Sequence, residues 1–247
     1  MDSELISYGF QYACYVIEAG LIVFMTRSPQ RSRLICPLLY LTCSLGASLG
    51  RTIALYKYGR LSPLYRSTYW ITDFPLVISL FVLVCLFFRR ACADQEKMWR
   101  SVRFLLIFVF ILVGGVSGLC FSRNYSSLVA EFVVAFNQNL YFTCLVLTTM
   151  LYLLLQHLDS VDDQLGLLVC GVGIQLAGPT ATLALINLIG AEQFAQALNS
   201  LVMRFCTLGM LMVWVYAIVH VKDTGDDDVS RRRRIPVMAE ATAHLNV

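Results

Sequence analysis

The chain has 247 residues, 58% of them hydrophobic and only 14% charged, with a formal net charge of +3. A soluble domain carries about 25% charged residues. This composition excludes a water-solvated fold, makes a lipid bilayer the first expected partner, and leaves no expectation of a nucleic-acid partner.

An apolar segment of about 20 residues crosses a bilayer as a helix. Seven such segments run over residues 6–26, 34–56, 66–88, 103–121, 127–155, 165–189 and 196–220. The expected fold is an all-α, polytopic membrane protein: a seven-transmembrane-helix bundle over 1–221, followed by a polar, disordered cytoplasmic tail over 222–247. The chain opens Met-Asp-Ser-Glu, acidic where a cleavable signal peptide needs a positive start, so the first segment is expected to remain as a span. Short connections predict antiparallel packing of neighbouring helices.

Helix 1 carries Glu18 in its inner half, with no cation at matching depth. Helix 2 carries Arg51 at the end of the run SLGASLGR, whose small residues Ser44, Gly46, Ala47, Ser48 and Gly50 permit close helix approach. Helix 3 opens with Tyr69, Trp70, Asp73 and Pro75, a proline and a carboxylate in a span that is otherwise apolar. Helix 4 ends in GGVSGLC, a second close-packing surface. Helix 5 carries Glu131 and then Asn137, Gln138 and Asn139; helix 6 carries Gly173, Gln175, Gly178 and Pro179, which predict a kink near mid-membrane; helix 7 carries Asn199 and Arg204.

Nine cysteines lie mostly inside apolar runs and none forms a CxxC pair, so they are read as small packing residues. His157, His220 and His244 form no ligand cluster. No metal or cofactor is expected. There is no HExxH or GxSxG and no nucleophile–base set in a loop, so an enzyme is not expected.

Orientation follows from Lys and Arg. With the N-terminus outside, the cytoplasmic segments hold 13 of them: Arg27, Arg31, Arg33, Arg89, Arg90, Lys97, Arg100, Arg103, Lys222 and Arg231 to Arg234. The outer side holds four: Lys57, Arg60, Arg66 and Arg123. The expected topology is N-out and C-in, in the cell (inner) membrane.

At about 1.5 Å per helical residue, Arg51, Asp73, Glu131 and Arg204 fall at compatible depths in the outer half. An unpaired charge in hydrocarbon costs at least ~3 kcal/mol on the mildest scale. These residues should therefore face the interior, with Asp73–Arg204 as the central pair and Arg51 and Glu131 beside it. The candidate site comprises Arg51, Asp73, Glu131, Arg204, Gln138, Gln175, Glu18, Trp70 and Tyr69. Tyr69 and Trp70 also fit an interfacial aromatic belt, which is the commoner role at that depth.

Three families share features with these residues. Arg66, Trp70 and Pro75 match the Arg-x3-Trp-x4-Pro spacing of helix 3 in microbial rhodopsins. The only lysines are Lys57, Lys97 and Lys222, so helix 7 has no Schiff-base lysine and a retinal protein is rejected. Small sugar carriers built from two three-helix repeats share the span count, and Pro29-Gln30 resembles their Pro-Gln signature. The charges of the two triplets do not correspond. The Tyr-Trp-x2-acidic pattern of Tyr69, Trp70 and Asp73, with the span layout over nearly the whole chain, resembles an uncharacterised family of seven-span integral membrane proteins from soil bacteria, acidobacteria especially. That resemblance implies a fold and a bacterial source, and no activity.

The first functional expectation is a receptor- or sensor-like bundle that binds a small molecule or lipid group in an outer-half polar pocket and signals to a cytoplasmic protein partner. A small-solute transporter using Gln138, Gln175 and the charges as a path is the alternative. A structural or assembly membrane protein, in which the charges only set packing, is the third.

Overall fold

The computed structural model describes residues 2–28, 31–59, 62–93, 95–121, 128–157, 163–189 and 202–219; the expected tail over 222–247 lies outside them. The described residues form seven helices long and apolar enough to cross a membrane, and no strand. They are α1 (Asp2–Arg27), α2 (Arg31–Tyr58), α3 (Pro63–Ala91), α4 (Glu96–Phe121), α5 (Leu128–His157), α6 (Asp163–Ile189) and α7 over 202–219. The fold is the expected all-α seven-helix bundle. α4 starts earlier than its apolar stretch, because the charged turns from Glu96 to Arg103 continue the helix beyond the lipid-compatible segment.

The turn between α2 and α3 sets the geometry that matters most. Gly59 ends α2 with φ +74, a left-handed conformation that a side chain disfavours, and its N–H donates to the Leu55 carbonyl at 3.0 Å. Ser62 caps α3: its hydroxyl oxygen accepts from the Leu64 N–H at 3.3 Å, and Pro63 begins the helix, where a missing N–H is harmless. The two helices therefore run antiparallel from a short connection. Arg51 lies about 11 Å down α2 from Tyr58 and Asp73 about 15 Å down α3 from Pro63, by the rise per residue. A long arginine side chain spans that offset.

α3 is the central helix, in contact with α2, α4, α5 and α6. Its Val77, Leu80, Leu83, Val84, Phe87 and Phe88 are all buried. α5 faces it with Phe136, Leu140, Cys144, Leu147 and Leu151, a stripe at helical spacing. α4 is more peripheral. It is anchored by Phe110, whose ring lies 5.2 Å from Phe81 and 6.4 Å from Phe136, while Phe104, Ile107, Phe108 and Ile111 face outward, where lipid would solvate them.

α7 closes against α6, α1 and α2. Trp214 is fully buried, donates Nε1–H to the Leu168 carbonyl at 3.0 Å and stands 6.1 Å edge-on to Tyr40. Phe205 meets Phe10 of α1 at 5.4 Å. The α6–α7 contact uses glycine. A Cβ at Gly171 would stand 2.6 Å from the Trp214 ring, and one at Gly178 2.9 Å from Cys206 Sγ. The two close-packing surfaces expected elsewhere differ. A Cβ at Gly46, Gly114 or Gly115 would meet nothing within 4 Å, and one at Gly50 only Thr72 at 4.0 Å. A small residue permits approach, but the facing helix must supply the bulk, and Trp214 does so only at α6.

α6 remains helical through Pro179, and α3 through Pro75. Pro75 has no N–H to offer the Ile71 carbonyl, so the turn that carries Thr72 and Asp73 lacks one ladder hydrogen bond.

Candidate functional site

Asp73 is buried at 9% exposure and both of its oxygens are engaged. Arg51 Nη2 donates to Oδ1 at 2.8 Å, and Asn137 Nδ2 donates to Oδ2 at 2.8 Å. Arg51 Nε donates to Thr72 Oγ1 at 2.9 Å, and the Thr72 hydroxyl passes its own proton to the Thr68 carbonyl at 2.8 Å. The guanidinium lies over the Tyr69 ring, 4.2 Å from its centroid, a cation–π contact. One carboxylate thus ties α2, α3 and α5 together. A bare charge here would be costly. Two charge-assisted hydrogen bonds and an aromatic face lower that cost.

The partner of Asp73 is Arg51 rather than the expected Arg204. The α2–α3 turn holds Arg51 in reach. Arg204 lies on α7 within electrostatic range of Cys14, on the α1 side of the bundle. Tyr69 belongs to the site as the platform under Arg51, which the belt expectation misses. The side chains of Trp70 and Glu131 lie outside the described residues, although both positions are helical.

On α5 the site residue is Asn137; Gln138, singled out from sequence, is partly exposed and has rotated off the face that meets Asp73. Asn137 lies seven residues before Cys144 and fourteen before Leu151, both fully buried. That heptad spacing would have selected it. Asn139 donates to Ser117 of α4 at 3.4 Å instead.

A second polar cluster joins α1 to α2 at Thr52, next to Arg51. Gln11 Nε2 donates to the Tyr15 hydroxyl at 2.6 Å, Tyr15 meets Thr52 Oγ1 at 2.9 Å, and Thr52 donates to the Ser48 carbonyl at 2.9 Å. Polar side chains at four-residue spacing on an apolar helix (Gln11, Tyr15; Ser48, Thr52) are the signal that marks it.

Among the described residues, four buried side-chain oxygens have no hydrogen-bond partner: Glu18 Oε1, Asn137 Oδ1, Thr148 Oγ1 and Gln175 Oε1. Glu18 is 3% exposed, with the Ser44 hydroxyl of α2 facing its carboxyl. Tyr40, fully enclosed, lies within electrostatic range of both Glu18 and Asp73. Among the described residues no three His, Cys, Asp or Glu side chains stand together as a metal site needs, and the eight described cysteines are free thiols.

Comparison with protein-family models, with curated proteins and with solved structures returned no match.

Proposed function

We propose that the chain is a receptor- or sensor-like membrane protein that binds a small molecule or lipid group at the Arg51–Asp73–Asn137 site. The observation that carries this reading is the position of Asn137. Its amide donates to Asp73, and its own carbonyl oxygen, buried beside a charged pair, is left without a partner. A network that served packing alone would gain by satisfying that oxygen. In a bilayer, ionisable side chains inside the bundle mark a functional site by default. α3 runs from this site to the opposite end, where Arg90 Nη2 donates to Gln164 of α6 at 3.4 Å, so a shift at Asp73 has a continuous helix along which to travel.

In this reading the N-terminus is outside, the site lies in the outer half of a bacterial inner membrane, and the basic stretch from Arg89 to Arg103 meets a cytoplasmic partner. The site binds and does not catalyse. The likeness to the acidobacterial seven-span proteins belongs to the same proposal. Native mass spectrometry of the full chain released from nanodiscs tests it. A bound compound retained by the wild type and lost from Asp73→Asn supports binding. An empty wild type, or a compound equally retained by the variant, contradicts it.

A carrier is the second reading. The unpartnered Gln175 Oε1 near mid-helix, one turn before Pro179, favours it. Time-dependent uptake of the co-purified compound into proteoliposomes, against binding alone, separates the two.

A further inference from the structure

At the end of the bundle away from Asp73, α3 and α4 are joined by a tight turn. The Cys92 N–H donates to the Phe88 carbonyl at 3.0 Å, and the Gln95 N–H to the Cys92 carbonyl at 3.1 Å. The two helices touch through Phe81 and Phe110, whose ring centroids lie 5.2 Å apart. That contact sets their register. Arg89 lies eight residues toward the turn from Phe81, and Arg103 seven residues toward it from Phe110, about 12 and 10.5 Å by the rise per residue. The two arginines therefore stand at one level.

They also border one seam. Phe81, Cys85 and Arg89 follow at four-residue spacing along a single ridge of α3, and Arg103 and Phe110 are a heptad apart on α4. Arg89 and Arg103 are exposed, and among the described residues neither makes an ion pair. Arg100, exposed about one turn further out on α4, makes none either. Below these cations the seam is apolar. On α4 the stripe from Arg103 continues through the exposed Ile107 and through Phe110 to Gly114, where nothing lies within 4 Å of a Cβ. On α3, Val82 is exposed a heptad below Arg89. From Arg103 to Gly114 is about 16 Å along the helix, close to one leaflet of a hydrocarbon core about 30 Å thick.

We infer that the α3–α4 seam seats one anionic phospholipid, its phosphate between the Arg89 and Arg103 guanidiniums and an acyl chain along Ile107 to Gly114. Guanidinium forks match phosphate oxygens in both geometry and charge. A zwitterionic lipid brings its own ammonium to the same level and gains less. A soluble phosphate leaves the apolar part of the seam unused. A protein partner would have to follow the seam into hydrocarbon; the aqueous side of the turn, from Gln95 to Lys97, stays open to one. The arginine level is about 24 Å along α3 from Asp73, so this lipid is separate from a ligand at Asp73.

Native mass spectrometry of the full chain tests the assignment, after release from nanodiscs of equal phosphatidylglycerol and phosphatidylcholine with identical acyl chains. The wild type should retain phosphatidylglycerol over phosphatidylcholine by about tenfold or more, and Arg89→Gln and Arg103→Gln should each lower that enrichment by about fivefold, the worth of one basic residue near an anionic surface. Lys57→Gln, at the opposite end of the bundle, should leave it unchanged. Glycerophosphoglycerol, the headgroup without its chains, should not displace the lipid. Equal retention of the two lipids by the wild type, enrichment indifferent to both arginine variants, an equal loss in Lys57→Gln, or displacement by the soluble headgroup overturns the assignment. A co-purified protein whose release tracks Arg103→Gln while the lipids stay unselected overturns it as well. Both arginines are exposed, so the variants should unfold at the wild-type midpoint. If either fails to fold, the comparison of the two lipids on the wild type still decides.

Discussion

Arg51 Nη2 donates to Asp73 Oδ1 at 2.8 Å across the interface of two helices joined by a short turn. The contact is local in topology although 22 residues separate the partners. Because α2 and α3 leave the Gly59–Ser62 turn antiparallel, the pair is held by the most direct route the chain offers. Asn137 of α5 then brings in a third helix. The charged pair is thereby turned from a hairpin clamp into a node of the whole bundle.

Asn137 should be sensitive in a graded way. Asn137→Leu removes the donor to Asp73 Oδ2 and should cost about 1.5–3 kcal/mol, the range for a hydrogen bond to a charged group. Asn137→Asp faces the Asp73 carboxylate with a second one and should cost more at neutral pH. Unfolding in mixed micelles with increasing denaturing detergent measures both. Equal stability of the two variants would contradict the contact.

The α6–α7 seam should tolerate no side chain at Gly171. Gly171→Ala drives a methyl to 2.6 Å from the Trp214 ring. Overpacking of this kind costs about 1–3 kcal/mol. Gly46→Ala, where nothing lies within 4 Å, should be neutral or stabilising. Trp214→Phe, with a smaller ring, should restore part of the Gly171→Ala loss in the double variant. Thermal midpoints of the wild type, the three single variants and the double variant check the pattern, and a harmless Gly171→Ala refutes it.

Much of the fold is legible in the sequence, because lipid imposes a simple length rule that seven apolar runs obey. The charged residues to watch, Arg51 and Asp73, are legible for the same reason: their cost in hydrocarbon singles them out. The pairing is not. Depth puts Arg204 level with Asp73 and Arg51 nearer the outer end of its helix, and so favours the wrong partner. The choice depends on which helices are neighbours and which way each face turns. Asn137 and Gln138 show the same limit one residue apart, since a rotation of about 100° per residue separates a site residue from a bystander. The Gly171–Trp214 contact was hidden because a glycine in an apolar helix looks alike whether or not a large ring faces it.

Topology offers an independent check on the proposed orientation. The 13 to 4 division of Lys and Arg predicts a cytoplasmic C-terminus. A reporter fused after Val247 that is active only in the cytoplasm should give signal. Activity of a periplasm-specific reporter at the same point would reverse the orientation and place the Arg51–Asp73 site in the inner half.

The most direct test of the account is a double-mutant cycle at Asp73. Arg51→Ala strands the buried Asp73 carboxylate and should cost about 3–5 kcal/mol, and Asp73→Ala, which strands the half-buried Arg51 guanidinium, should cost less. The double variant strands none. It should be less damaged than the two losses summed, with a coupling of about 1 kcal/mol or more. The parallel cycle of Asp73 with Arg204 should be additive to within about 0.5 kcal/mol. Additive losses for Arg51 with Asp73, or strong coupling of Asp73 to Arg204, would contradict the arrangement on which the proposed site is built.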